Sequence, residues 1–97
     1  MDTQGGTAVC DIVLSGPMLV ANAAEIRGRL VAALEQPGDV RVDAGGVEAI
    51  DTAGLQLALA LVGVCAHEGR VLEWTSVSET ARTAAADLGV RDALAWG

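Results

Sequence analysis

The chain has 97 residues, 52% hydrophobic and 2% aromatic, and a formal charge of −7 from thirteen acids against six Lys and Arg. That is enough apolar material for one domain with an aliphatic core, and too much for a disordered chain. The acid excess opposes binding to nucleic acid or to an anionic membrane, because both affinities come from clustered cations. Residues 1–97 are expected to form a single domain. Residues 1–7 are read as a flexible tail, with no basic stretch leading into an apolar one as in a secretory leader. Alternation over residues 8–14 places Cys10, Ile12 and Leu14 on one face and Asp11 on the other, the period of a first strand. Ser15-Gly16-Pro17 is read as a turn, followed by a short second strand over 18–20. Asn22 and Glu25 have capping-box spacing. Behind them Ile26, Leu30, Ala33 and Leu34 make the apolar stripe of a first helix, which Pro37-Gly38 ends. Residues 39–43 alternate as a strand, and Gly45-Gly46 is read as opening a loop.

A second helix is expected from Gly54 to about Ala66, apolar nearly all round. The unbroken apolar run over residues 57–66 is far shorter than the roughly 20 residues a membrane span needs, so it reads as a core helix. Residues 71–75 form the next strand. Ser76 and Glu79 repeat the capping-box spacing and start a third helix, with Val77, Ala81, Ala84, Ala85 and Leu88 as its buried stripe and Gly89 as its terminator. Residues 93–96 are assigned to a last edge strand. Strands alternating with helices predict an α/β fold, a small four- to five-stranded mixed sheet flanked by three to four helices.

Most catalytic and metal chemistries find no residues to carry them. Cys10 and Cys65 form no CxxC pair, and with His67 they leave a tetrahedral zinc one ligand short. No metal or cofactor is expected, and the thiols are read as reduced, buried residues of a cytoplasmic protein. His67 suits the negative end of its helix, and no serine or cysteine is placed to form a triad with it, so no enzymatic activity is expected. Gly45, Gly46 and Gly54 have neither GxGxxG nor GxxxxGK spacing. Trp74 and Trp96 lack interleaved basic residues and are read as packing. The exception is Asp51-Thr52-Ala53-Gly54, an acid, a hydroxyl and a glycine at the mouth of the second helix. A helix start offers unpaired N–H groups and a positive dipole end, which Asp51 or Thr52 can cap. Gly54 lets another surface approach the backbone closely. A phosphate on Thr52 would gain from the helix end but meet Asp51 and, on this reading, Asp43, a charge switch able to release a partner without refolding the domain.

The stretch VDAGGVEAIDTAGL, residues 42–55, resembles the signature of the STAS family. Members typically read Asp-Leu-Ser, then Val, then an apolar residue and Asp-Ser-Ser-Gly-Leu. Residues 19–30 look like the family's first helix, and GRVLEW with SVSETARTAAADLGV looks like its last strand and helix, so the resemblance spans about residues 8–95. It implies the fold of the anti-sigma factor antagonists and a non-enzymatic interaction module of bacterial signalling. In those antagonists a kinase-type anti-sigma factor phosphorylates a serine of the motif and so releases the module. Here Ala53 takes the second hydroxyl position and only Thr52 keeps one. In this the motif is similar to STAS proteins encoded beside chemotaxis genes, toward which the Trp74 strand VLEW inclines. It is also similar to the STAS subunit of bacterial phospholipid transporters, where the corresponding threonine helps hold the ATPase. The resemblance thus implies partner-binding residues Asp51, Thr52, Ala53 and Gly54, Thr52 as the position of phosphorylation, and Asp43, Gly45 and Gly46 as a supporting loop. The expected partner is a cytoplasmic protein: an anti-sigma or histidine-kinase-type factor, a chemotaxis protein, or a transporter ATPase. A small ligand at the helix start is the other reading, opposed by the negative charge and the missing basic clamp.

Overall fold

Alternating residues generate the sheet, and the helices between them generate its parallel order. The computed structural model describes residues 8–96: β1 (Val9–Met18), a 3-10 turn (Val20–Asn22), α1 (Ala23–Ala33), β2 (Asp39–Ile50), α2 (Thr52–His67), β3 (Leu72–Val77), α3 (Glu79–Asp87) and α4 (Arg91–Leu94). The strands lie in the order β1-β2-β3, and both pairs are parallel. Each parallel step needs a crossover, which α1 and α2 provide. Cys10, Ile12 and Leu14 of β1 and Val40, Val42 and Ala44 of β2 are buried, together with Ile26 and Leu30 of α1, Leu55, Ala58, Leu61 and Cys65 of α2, and Ala81 and Ala85 of α3. Asp11, Val13, Arg41, Asp43, Glu73 and Thr75, on the opposite face of the sheet, are exposed. Among the described residues the helices therefore cover one face of the sheet.

The α/β class holds, but among the described residues the sheet has three strands, all parallel, instead of four or five in mixed directions. Two expected breaks turn out to be strand. β1 runs through Ser15-Gly16-Pro17 to Met18, absorbing the expected turn, and no separate strand forms over 18–20, because Val20 already opens the 3-10 turn. Its register with β2 slips between Val13 and Ser15 and again between Gly16 and Pro17. A proline is tolerated there because β1 is an edge strand. β2 likewise continues through Gly45-Gly46, where burial passes from Ala44 to Val47 over two exposed glycines. A Cβ on Gly45 would collide with Ser76 Oγ of β3. Here glycine marks a bulge and a close approach, not a loop.

The caps also shift. Asn22 precedes α1, but its side chain makes no cap bond to the helix; Oδ1 instead accepts from Leu19 N at 3.3 Å. At α3 the cap is Ser78 and not Ser76, its Oγ accepting from Ala81 N at 3.1 Å. Leu88, expected in the buried stripe, is 53% exposed. Residues 93–96 form no edge strand: α4 ends at Ala95 in the left-handed conformation (φ 60). That reversal returns Leu94 and Trp96 to the core, where the Trp96 ring meets Trp74 edge to face at 5.2 Å. The tail assigned to residues 1–7 lies outside the described residues.

Candidate functional site

β1 and β2 run side by side to Met18 and Ile50, so the chain leaves both strands at the same end of the sheet. One exit is the 3-10 turn and the other is Asp51, the extended residue that caps α2 (φ −119, ψ −170). Its carboxylate does two things. Oδ1 accepts from Gly54 N at 3.1 Å, closing the first turn of α2. Oδ2 accepts from Val20 N at 3.0 Å, on the other exit. The Asp51 backbone completes the tie, its N–H donating to Met18 O at 3.4 Å and its carbonyl accepting from Leu55 N at 2.9 Å.

The Val20 and Gly54 N–H groups hold the Asp51 carboxyl below the usual carboxylate range, since both bond the charged form. A carboxyl whose folded value is depressed contributes stability above its unfolded value, near 4, and loses it as pH falls through the folded value. The expected result is that urea midpoints measured from pH 7 down to pH 3 fall more steeply for the parent than for Asp51→Asn. Parallel profiles would show that this carboxylate does not carry the tie.

Of the residues expected to meet a partner, Thr52 is exposed, Asp51 and Ala53 are half-buried, and Gly54 is buried. Asp51 is the cap, which leaves the Thr52 hydroxyl without that duty. The surface Gly54 admits is the chain's own β1: an added Cβ would run into Met18 O and lie 2.7 Å from Ile50 Cγ1. Asp43, Gly45 and Gly46 are not brought to this junction. They lie within β2, and roughly 25 Å of extended strand separates Asp43 from Asp51. The Asp43 carboxylate instead accepts from Gly45 N at 2.9 Å, so a charge on Thr52 would face Asp51 but not Asp43. Val20, which nothing in the sequence singled out, joins the site because its N–H binds Asp51. In sequence it reads as the last residue of the short strand expected over 18–20.

Other reactive groups are placed passively. Cys10 Sγ donates to Ala33 O at 3.1 Å, and burial pushes the Cys65 thiol up, away from thiolate character. His67 is exposed in the last turn of α2. Among the described residues no group of three or more His, Cys, Asp or Glu could hold a metal ion, and no helix is long and apolar enough to cross a membrane.

A parallel sheet covered on one face, with a doubly tied helix start at its end, defines a small α/β domain. The family model described as "Mlab, STAS domain" matches residues 1–95, and the chain belongs to the STAS family, whose domains are generally non-enzymatic interaction and regulatory modules. A solved structure of a sulfate transporter family protein from Wolinella succinogenes is similar in fold, with a TM-score of 0.68 and 24% identity, covering 89% of this chain and 70% of that one. No curated protein matches.

Proposed function

We propose that the chain is a docking module of bacterial signalling that binds a cytoplasmic protein through the start of α2. Thr52 stands at the centre of the contact, Asp51 and Ala53 lie beside it, and Gly54 sets the height of the helix over β1. The observation that carries this reading is an exposed Thr52 on backbone that the Asp51 carboxylate holds from two sides. A surface fixed before binding loses little freedom when a partner arrives. The partner is an anti-sigma kinase or a chemotaxis-type protein. The γ-phosphoryl group of ATP would pass to Thr52 Oγ1, with ADP leaving and the hydroxyl proton going to the kinase. The product carries about −1.5 to −2 charge beside Asp51 and would release the partner.

A second reading has its own support. Thr52 is the single hydroxyl of the motif, Trp74 is engaged with Trp96, and the matching family description reads Mlab. These favour a subunit that regulates the ATPase of a phospholipid transporter, with Thr52 as an unmodified contact. A small anionic ligand is less well served, because no cation occurs over residues 48–55.

The test titrates the parent, Thr52→Ala and Thr52→Glu with the anti-sigma kinases, the chemotaxis kinase and the transporter ATPase of the source organism by calorimetry. Thr52→Ala should change stability by less than about 0.5 kcal/mol, since Asp51 is the cap. Thr52→Glu should stay folded by circular dichroism and bind at least tenfold more weakly. Phosphate incorporation at Thr52 selects the kinase branch, and ATPase binding without it selects the transporter branch. A folded Thr52→Glu that binds as tightly as the parent would make the junction a helix cap and nothing more.

A further inference from the structure

Resting on the docking reading above, we infer that the 3-10 turn Val20–Asn22 is the second half of the docking surface, taking a partner protein with an aliphatic side chain over Val20 and basic side chains around it. None of the turn's residues is buried, and Val20, at 72%, is the most exposed large hydrophobic among the described residues. A lone exposed valine is ordinary. What sets this one apart is how it is held.

The Val20 N–H donates to one oxygen of the carboxylate whose other oxygen caps α2 at Gly54. Met18, just ahead of the turn, accepts from Asp51 N and packs over Gly54. The turn touches α2, and one side chain, Asp51, ties Val20 to the first turn of the helix that carries Thr52. A turn that only reversed the chain in water would be served by Gly, Asn, Asp or Ser. This one presents Val20 and Ala21 to solvent on pinned backbone.

Charge specifies the occupant. No cation occurs over residues 19–26 or 48–55, while Glu25 in the first turn of α1 and Glu48 on β2 just ahead of Asp51 are both exposed. The segments that carry Val20, Ala21, Thr52 and Ala53 thus bear exposed acids and no cation, the nearest along the chain being Arg27. A second copy of a chain of net charge −7 would set like acids against each other. A partner with an apolar centre and a basic rim fits.

The experiment uses the same kinases and ATPase as probes, with Val20→Gln, Val20→Leu, Glu48→Lys and Val13→Gln, and follows the Val20 amide by NMR hydrogen exchange. Val20→Gln should weaken binding at least tenfold, and Val20→Leu should stay within threefold. Val13→Gln should change nothing, since Val13 is 58% exposed on the open face of the sheet. Glu48→Lys should weaken binding several-fold, less so in added salt. The Val20 amide should exchange faster in Asp51→Asn than in the parent. If Val20→Gln binds like the parent while Thr52→Glu does not, the turn is excluded and the docking function stands. If both bind like the parent, or no probe binds the parent, both fall. Equal Val20 exchange in parent and Asp51→Asn overturns the tie. A dimer that Val20→Gln dissolves, seen by sedimentation, would assign the turn to contact between copies and overturn the basic-rimmed partner.

Discussion

Gly54→Ala should cost the folded chain about 2–3 kcal/mol, although alanine is the better helix former by about 1 kcal/mol. The added Cβ would lie inside contact distance of the Met18 carbonyl oxygen, 2.7 Å from Ile50 Cγ1 and 3.0 Å from Met18 Cβ. The carbonyl oxygen belongs to backbone and cannot rotate aside, so α2 must lift from the end of β1. Lifting strains the bond between Gly54 N and Asp51 Oδ1 and opens the contact that keeps Met18 and Leu55 each 2% exposed. Gly63 is the control on the same helix. Nothing lies within 4 Å of a Cβ added there, so Gly63→Ala should gain up to about 1 kcal/mol from propensity. Urea titration followed by circular dichroism separates the two. Equal stability of Gly54→Ala and parent would mean that the height of α2 over β1 is set elsewhere.

The second large effect is expected at Arg70, in the connection from α2 to β3. Its guanidinium donates to Leu34 O at 3.0 Å, Gln36 O at 2.5 Å and Gly38 O at 2.6 Å, and pairs with Glu68 Oε1 at 3.2 Å, with the side chain only 11% exposed. The carbonyls at and beyond the end of α1 have no helical partner, and one planar fork satisfies three of them. Arg70→Met leaves those oxygens unpaired and should destabilise by about 2–4 kcal/mol. Arg70→Lys, a point donor that cannot span the same set, should fall between Met and the parent. Arg41→Gln breaks a solvent-exposed pair with Asp11 at 3.1 Å and should hardly alter the denaturation midpoint. An Arg70→Met variant as stable as Arg41→Gln would show that water replaces the guanidinium without loss.

Local pattern alone was enough for the class of fold. Alternation at Cys10, Ile12 and Leu14, the apolar stripe of Ile26 and Leu30, and the apolar run after Gly54 each depend on a period that a short stretch carries by itself. A cap at Asp51 or Thr52 was legible for the same reason, because a cap reaches only the next turn of its own helix, and the structure assigns it to Asp51. Tertiary structure decided whatever depends on the facing element. Gly45-Gly46 stayed within β2 because Ser76 of β3 comes close enough to exclude a side chain. The cap of α3 passed from Ser76 to Ser78 because β3 pairs with β2 as far as Val77 and Ala44, which pushes the helix start later. The approach of Met18 to Gly54, the three carbonyls gathered by Arg70, and the second bond of Asp51 to Val20 all join residues thirty-one or more positions apart. Local periodicity and capping rules reach only a few residues, so those contacts exist for the chain only once β1 and β2 lie side by side.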